Sequence, residues 1–362
     1  MTPDLYILLP KDIPLDSKAV QWCEANRLQD LLAAVSSETS NLALVKQLDL
    51  TLEFFERRPS SRPVEQKQSD DSAHDSYFRI SRLEHDEAAV FARMAVQARL
   101  ILATELEEPS TPAGREDHRM IDRALADLTA AIAGSSVSHG QAVSEWECRS
   151  EHRDPMRRWI RGHQIFAALT QGLIFSFQAM GRSLRSGHQE GTARWADLSI
   201  GLLRGSAATF RYTGDFTAEE YRRVVRPSMS PPAAPICLSG LMSVDHRYFV
   251  QLMGKMKPAL RLLRQREPLR HRQISEGMAS VYDSHIYVCE RFVGDRPSLL
   301  TAGRTEKSGP QLIEHFKSMR LKPFEGAVQA APVGAAAASS EQCPHTKAQS
   351  AALEKARGFA QG

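Results

Sequence analysis

The apolar residues of this 362-residue chain recur at three- and four-residue steps over most of its length, and alternating β-type runs are almost absent. Gly and Pro fall mostly between these segments. The pattern implies a mainly α fold, a helical bundle, with a single short strand at Leu5 to Leu9. The period predicts helices over Ser17 to Val35, Leu42 to Phe55, Ile80 to Leu106, Arg115 to Ile132, Met156 to Leu184 and Trp195 to Thr209. Further helices follow over Leu238 to Met253, with a kink at Pro258 if it continues, then Ile274 to Val293 and Gln311 to Met319. Thr217-Ala-Glu-Glu220 reads as a capping box that opens a short helix ending before Pro227.

The polar, Ser- and Pro-containing stretch from Arg57 to Ser76 reads as a linker. Three parts are therefore expected: residues 1–76 as an N-terminal helical segment with its linker, 77–322 as the principal helical domain, and 323–362 as an Ala/Gly-rich, flexible tail in which Lys347 to Ala356 could form a helix. Hydrophobic residues at 42% and charged residues at 25% leave enough apolar material for a sizeable core.

Charge narrows the partners. The 46 Lys and Arg against 43 Asp and Glu leave a net +3 with no long basic run, which argues against nucleic acid. The longest apolar run, Ile165 to Met180, is broken by Thr170, Gln171, Ser176 and Gln178 and falls short of the roughly 20 residues a membrane span needs, so it reads as a buried helix. The chain starts Met-Thr-Pro-Asp without the pattern of an export signal, and a cytoplasmic location is expected. Five scattered cysteines with no Cys-x-x-Cys pair argue against a disulfide framework, a zinc site and Cys-x-x-Cys-His haem attachment.

Two segments could carry chemistry. In Val281-Tyr-Asp-Ser-His285-Ile-Tyr-Val-Cys289-Glu-Arg-Phe292 the apolar steps place His285 and Cys289 on one helix stripe, one turn apart. An imidazole aimed into an apolar cleft is a normal axial ligand for haem iron, and a thiol one turn away could reach a porphyrin vinyl group to form a thioether. The same spacing equally suits a hydrogen-bonded core histidine and a small buried thiol. In Leu238-Ser-Gly-Leu-Met-Ser-Val-Asp-His246-Arg247-Tyr248, the adjacent His246 and Arg247 point about 100° apart on a helix and could touch different parts of one ligand. The planar fork of Arg247 suits a carboxylate, although a solvated arginine beside a surface histidine has the same sequence.

Together these segments resemble the haem-dependent tryptophan 2,3-dioxygenase superfamily. His285-x-x-x-x-Glu290-Arg291-x-x-Gly294 is similar to that family's proximal-histidine helix, and Ser239-Gly240-x-x-Ser243-x-x-x-Arg247 to its substrate-carboxylate segment. Two departures, His at 246 in place of an aromatic residue and Cys at 289 in place of an aliphatic one, resemble a narrower group, the saframycin-type 3-methyl-L-tyrosine hydroxylases. Their pattern is a histidine, about 38 residues, then His-x-x-x-Cys; residues 247 to 284 give that spacing here. The loop after Gly294 reads Asp-Arg-Pro-Ser-Leu-Leu and lacks the dioxygenases' Gly- and Thr-rich run.

The resemblance, confined to about Met156 to Ser308, implies a haem enzyme of the dioxygenase-like helical fold. It implies that His246 and His285 both ligate iron and that Cys289 is joined to the macrocycle. Arg247 would hold the carboxylate of tyrosine or 3-methyl-L-tyrosine. His246 would leave the iron during turnover and act as acid and base, and helix faces such as Ile165 to Phe177 would surround the substrate ring. The implied reaction is ortho-hydroxylation of the phenol with peroxide, or with dioxygen and a reductant, in antibiotic biosynthesis, by a homo-oligomer. The competing readings are a bis-histidine haem sensor or electron carrier, a tryptophan dioxygenase, and a helical scaffold without haem. Tyr248, Tyr282 and Tyr287 are expected mainly in the core, and His163, His271 and His315 as structural or surface residues.

Overall fold

Helix-forming stretches dominate, and their ends follow local backbone chemistry. A computed structural model describes residues 4–38, 40–57, 62–64, 70–105, 112–135, 154–238, 242–294 and 307–324. In chain order the helices are α1 (Asp16–Ala25), α2 (Gln29–Ser37), α3 (Asn41–Glu56), α4 (Asp70–Tyr77), α5 (Glu87–Glu105), α6 (Pro112–Ile132), α7 (Pro155–Ser186) and α8 (Gln189–Thr213). They continue with the short α9 (Ala218–Glu220), a π-helical turn at Tyr221–Val225, α10 (Arg226–Ser228), α11 (Val244–Lys255), α12 (Lys257–Arg266), α13 (Pro268–Phe292) and α14 (Gly309–Leu321). The 32-residue α7 is capped by Asp154, whose carboxylate accepts from the amides of Met156 and Arg157, and it ends at Gly187 in the left-handed conformation.

The mainly α expectation holds, with corrections to individual elements; α11, expected from Leu238, begins at Val244. Ser17 to Val35 is not one helix, because Arg27 adopts φ 55° and separates α1 from α2. Ile80 to Leu106 is not continuous either. Ile80–Glu84 is a strand, β3, bounded by positive-φ residues Arg79, His85 and Asp86 that no α-helix accommodates. β3 pairs in parallel with β1 (Leu5–Leu8), Leu5 opposite Ile80, and antiparallel with β2 (Arg62–Pro63). Five residues of mixed apolar character cannot be assigned by period alone. The capping box at Thr217 is present, but the helical turn passes Pro227 and reaches Ser228.

α8 is the central helix, flanked by α6, α7 and α13. Two glycines permit its close crossings: a Cβ on Gly162 of α7 would lie 2.0 Å from Thr213 Oγ1, and one on Gly205 of α8 would lie 2.6 Å from the Ala124 Cβ. The main core runs from Leu5 to Phe324, so described residues on both sides of residue 76 share it. A second apolar cluster, including Phe216, Tyr221, Val225, Val288 and Phe292, gathers at the end of α13. Nearly all of the 323–362 tail, and the Ser239-Gly240 and Asp295-to-Leu300 segments, lie outside the described residues.

Candidate functional site

α13 presents His285 and Cys289 as its period requires. The His285 ring lies flat on Phe210 of α8, with centroids 4.6 Å apart and planes 17° apart, and Phe210 meets Phe166 of α7 edge-on at 4.8 Å. One turn past Cys289, Phe292 stacks on Tyr221 at 4.5 Å and 3°. The Glu-Arg-x-x-Gly end of the helix has a structural use: Arg291 donates to the Gly214 carbonyl at 3.0 Å, and Gly294, at φ 58°, turns the chain back with its amide on the Cys289 carbonyl.

His246 and Arg247 stand in the first turn of α11, which Ser243 caps by accepting from the His246 amide at 3.3 Å. The structure brings His246 within electrostatic reach of His285. Burial is the main cause that depresses the His285 imidazole to about 4, and the nearby His246 adds to it. His246 is likewise held at about 4, by burial first and then by Arg320 and Arg247. Both rings therefore carry free lone pairs at neutral pH, and neither is hydrogen-bonded among the described residues. Both residues nonetheless keep some accessible surface. Burial, and secondarily Glu290, pushes the Cys289 thiol up to about 11, so it is an S–H group and not a thiolate that would compete for metal.

These donors fit haem. Two neutral imidazoles offered without other partners suit axial ligation, an un-ionised thiol one turn from His285 suits a thioether, and the surrounding rings are apolar. The buried Trp159 Nε1 also has no hydrogen-bond partner among the described residues. No group of three or more His, Cys, Asp or Glu side chains suited to a bare metal ion occurs among the described residues.

Arg247 is engaged from two sides: Nη2 donates to Asp71 of α4 at 2.6 Å and Nη1 to the Met242 carbonyl at 2.7 Å. Both ion-pair partners are partly exposed. A carboxylate thus already sits on this guanidinium.

His163, expected as a structural or surface residue, is half-buried on α7. Its ring stacks on Phe78 at 4.0 Å and 11°, and its Nδ1 lies 2.7 Å from the Trp159 carbonyl. A carbonyl only accepts, so Nδ1 carries the proton and Nε2 is left as the acceptor. Burial holds this ring at about 3; the Trp159 bond opposes that, and His74 and His285 add to it, which places His163 in the same neighbourhood. Its legible signal was a histidine three residues before Phe166 on the most apolar helix. Of the expected ring-enclosing stretch, Ile165, Leu169, Ile174, Phe175 and Phe177 are fully buried in the main core; Phe166 is the residue that reaches the site. Tyr282 is buried, Tyr248 half-buried and Tyr287 exposed; His271 is buried near Phe324. A surface depression on α3, lined by Leu50, Glu53, Phe54 and Arg57, holds no imidazole or thiol.

A model of the family described as SfmD 3-methyl-L-tyrosine peroxygenase matches residues 6–273, which include His246 and Arg247 and stop before His285 and Cys289. The 3-methyl-L-tyrosine peroxygenase of Streptomyces lavendulae is 35% identical over 171 residues, spanning 47% of this chain and 47% of that protein, so the aligned region covers about half of the relative. A crystal structure of reduced SfmD, soaked with sodium hydrosulfite, superposes with a TM-score of 0.68 at 23% identity, covering 80% of this chain and 99% of that one, and shares its fold. The chain belongs to the SfmD 3-methyl-L-tyrosine peroxygenase family.

Proposed function

We propose that this chain hydroxylates the aromatic ring of tyrosine or 3-methyl-L-tyrosine, with a haem held by His285 and His246 and tethered at Cys289. The observation that carries this is His285, held flat on Phe210 one helical turn before the un-ionised Cys289 thiol, with His246 near enough to depress the His285 imidazole. The family's name supplies the reaction class, in which R–H and hydrogen peroxide give R–OH and water with no outside reductant.

Bound haem would supply the redox chemistry that activates the oxidant. The residues do the rest. His285, held flat by Phe210, keeps one fixed direction, while the Cys289 sulfur holds the macrocycle against rotation and loss. Arg247 takes the substrate carboxylate in its fork, displacing Asp71, and so sets the distance of the phenol ring from the centre. His246, neutral at pH 7, would be a second residue holding the haem, and its ring nitrogen can accept a proton and return it. His163 Nε2 adds a hydrogen-bond acceptor in the same neighbourhood. Phe166, Phe210 and Trp159 provide apolar surface for the ring and limit water there. No helix among the described residues is long and apolar enough to cross a membrane.

The test is turnover of 3-methyl-L-tyrosine with hydrogen peroxide by the haem-loaded chain, followed by mass spectrometry. A product heavier by one oxygen, lost in His285→Ala, is expected; haem-loaded protein that consumes peroxide without oxygenating either tyrosine contradicts the assignment.

A further inference from the structure

β3 sends a charged side chain into the core. Arg82 is buried, its side chain 1% exposed, and each of its five N–H groups has an acceptor. Nε donates to Asp75 Oδ2 at 2.7 Å and Nη2 to Asp75 Oδ1 at 3.2 Å. Nη2 also donates to Asp245 Oδ2 at 2.7 Å, and Nη1 to Asp245 Oδ1 at 3.2 Å and to the Leu8 carbonyl at 2.8 Å. The buried Gln171 completes the arrangement, its Nε2 donating to Asp245 Oδ1 at 3.0 Å and to the Leu8 carbonyl at 2.7 Å.

Burying one guanidinium and two carboxylates is costly, and apolar residues of similar volume would commonly leave a fold as stable or more so. What apolar residues cannot do is fix a direction. A bidentate fork restrains both oxygens of a carboxylate and hence the rotation of the backbone that carries it. Asp245 lies in the first turn of α11, where the helix dipole favours negative charge, and the next residue is His246. Metal-ligating histidines are ordinarily oriented by a hydrogen bond to the second ring nitrogen. The His246 ring has none among the described residues, so its direction is inherited from the turn. α4 enters the same arrangement twice, through Asp75 on Arg82 and Asp71 on Arg247.

We infer that Arg82 is a positioning residue: through Asp245 it sets the rotation of the first turn of α11 and thereby aims the His246 imidazole at the haem iron. This rests on the haem reading above. Arg82 hydrogen-bonds both Asp245 and Asp75 of α4, the helix that also bears Asp71.

The test uses the full chain loaded with haem and compares wild type, Asp245→Asn and Arg82→Lys. Asparagine keeps the shape of the carboxylate but breaks the paired fork, and lysine keeps the charge of Arg82 but not its planar geometry. Ferric electron paramagnetic resonance reads the axial ligands, and circular dichroism of the haem-free chains reads the fold. The expected result is a low-spin bis-imidazole signal in wild type, more than half of it converted to high spin in both variants at unchanged helicity, and its return when free imidazole is added. Variants that hold haem and stay as low-spin as wild type overturn the inference. Loss of helicity in both variants overturns it as well, because the network would then hold the fold and not the ligand. A wild type without haem, or with a high-spin ferric signal, is a different failure: it removes the two-histidine reading itself, and the inference with it.

Discussion

The His285 imidazole lies flat against Phe210, 4.6 Å between centroids and 17° from coplanar. That contact restrains the plane of the ring proposed above to hold iron, and it comes from α8, the central helix of the fold. Burial is the main reason the imidazole stays near 4, so Phe210→Ala, which opens one face to water, should raise it toward the ordinary histidine value near 6.5. Proton NMR titration of the haem-free chain measures this; an unmoved midpoint would show that Phe210 does not shield the ring.

The Asp71 carboxylate occupies Arg247 at 2.6 Å and would compete with a substrate carboxylate for the same fork. Asp71→Asn should therefore lower KM for 3-methyl-L-tyrosine about three- to tenfold with kcat little changed, since a tenfold change corresponds to about 1.4 kcal/mol, within the range of a charge-assisted pair. Arg247→Ala should raise KM by at least about tenfold by the same reasoning. Unchanged KM in both variants would remove Arg247 from substrate binding.

Asp122 and Arg99 form a second buried pair, with Nε–Oδ1 at 2.6 Å and Nη2–Oδ2 at 3.0 Å. Arg99, whose guanidinium also meets the Val35 carbonyl, has no exposed surface. Asp122→Ala would strand that charge, at a cost of about 3–5 kcal/mol. Chemical denaturation should show the loss as a lowered midpoint. A midpoint within error of wild type would mean that water or Asp127 takes over the pairing.

Acid should destabilise the haem-free chain through its neutral histidines. Burial, and then Arg158, holds His118 down to about 3, against about 6.5 when unfolded. The unfolded chain binds this proton and the folded one does not, so the stabilisation is complete above pH 6.5 and declines as pH falls from there toward 3. His118→Asn should flatten the pH dependence of stability over that window by about one proton's worth of slope. A slope unchanged from wild type would show that His118 is protonated in the fold.

Most of the helical architecture was legible because amphipathic helices carry their burial in their period, as α7 and α13 do. What escaped detection was set by tertiary context. β3 reads like the start of α5 because five residues are too few to show a period, and only pairing with β1 and the left-handed residues around it make it a strand. His285 and Cys289 were readable as one stripe of one helix, whereas the approach of His246 joins elements far apart in the chain. His163 was read as structural or surface because nothing in the sequence says that its Nδ1 is committed to its own helix while its ring stacks on Phe78. Arg82 escaped for the same reason: an arginine between Ser81 and Leu83 carries no sign that two carboxylates, from α4 and α11, converge on it.

The proposed covalent tether at Cys289 is tested most directly by extraction. The haem-loaded chain is denatured in acidified acetone, and the Soret absorbance is followed into the protein pellet or the solvent. Pigment that stays with the wild-type polypeptide and leaves with the solvent in Cys289→Ala is the predicted result. A wild type whose pigment extracts completely, or which shows no Soret band after growth with ample iron and haem precursor, would contradict the account.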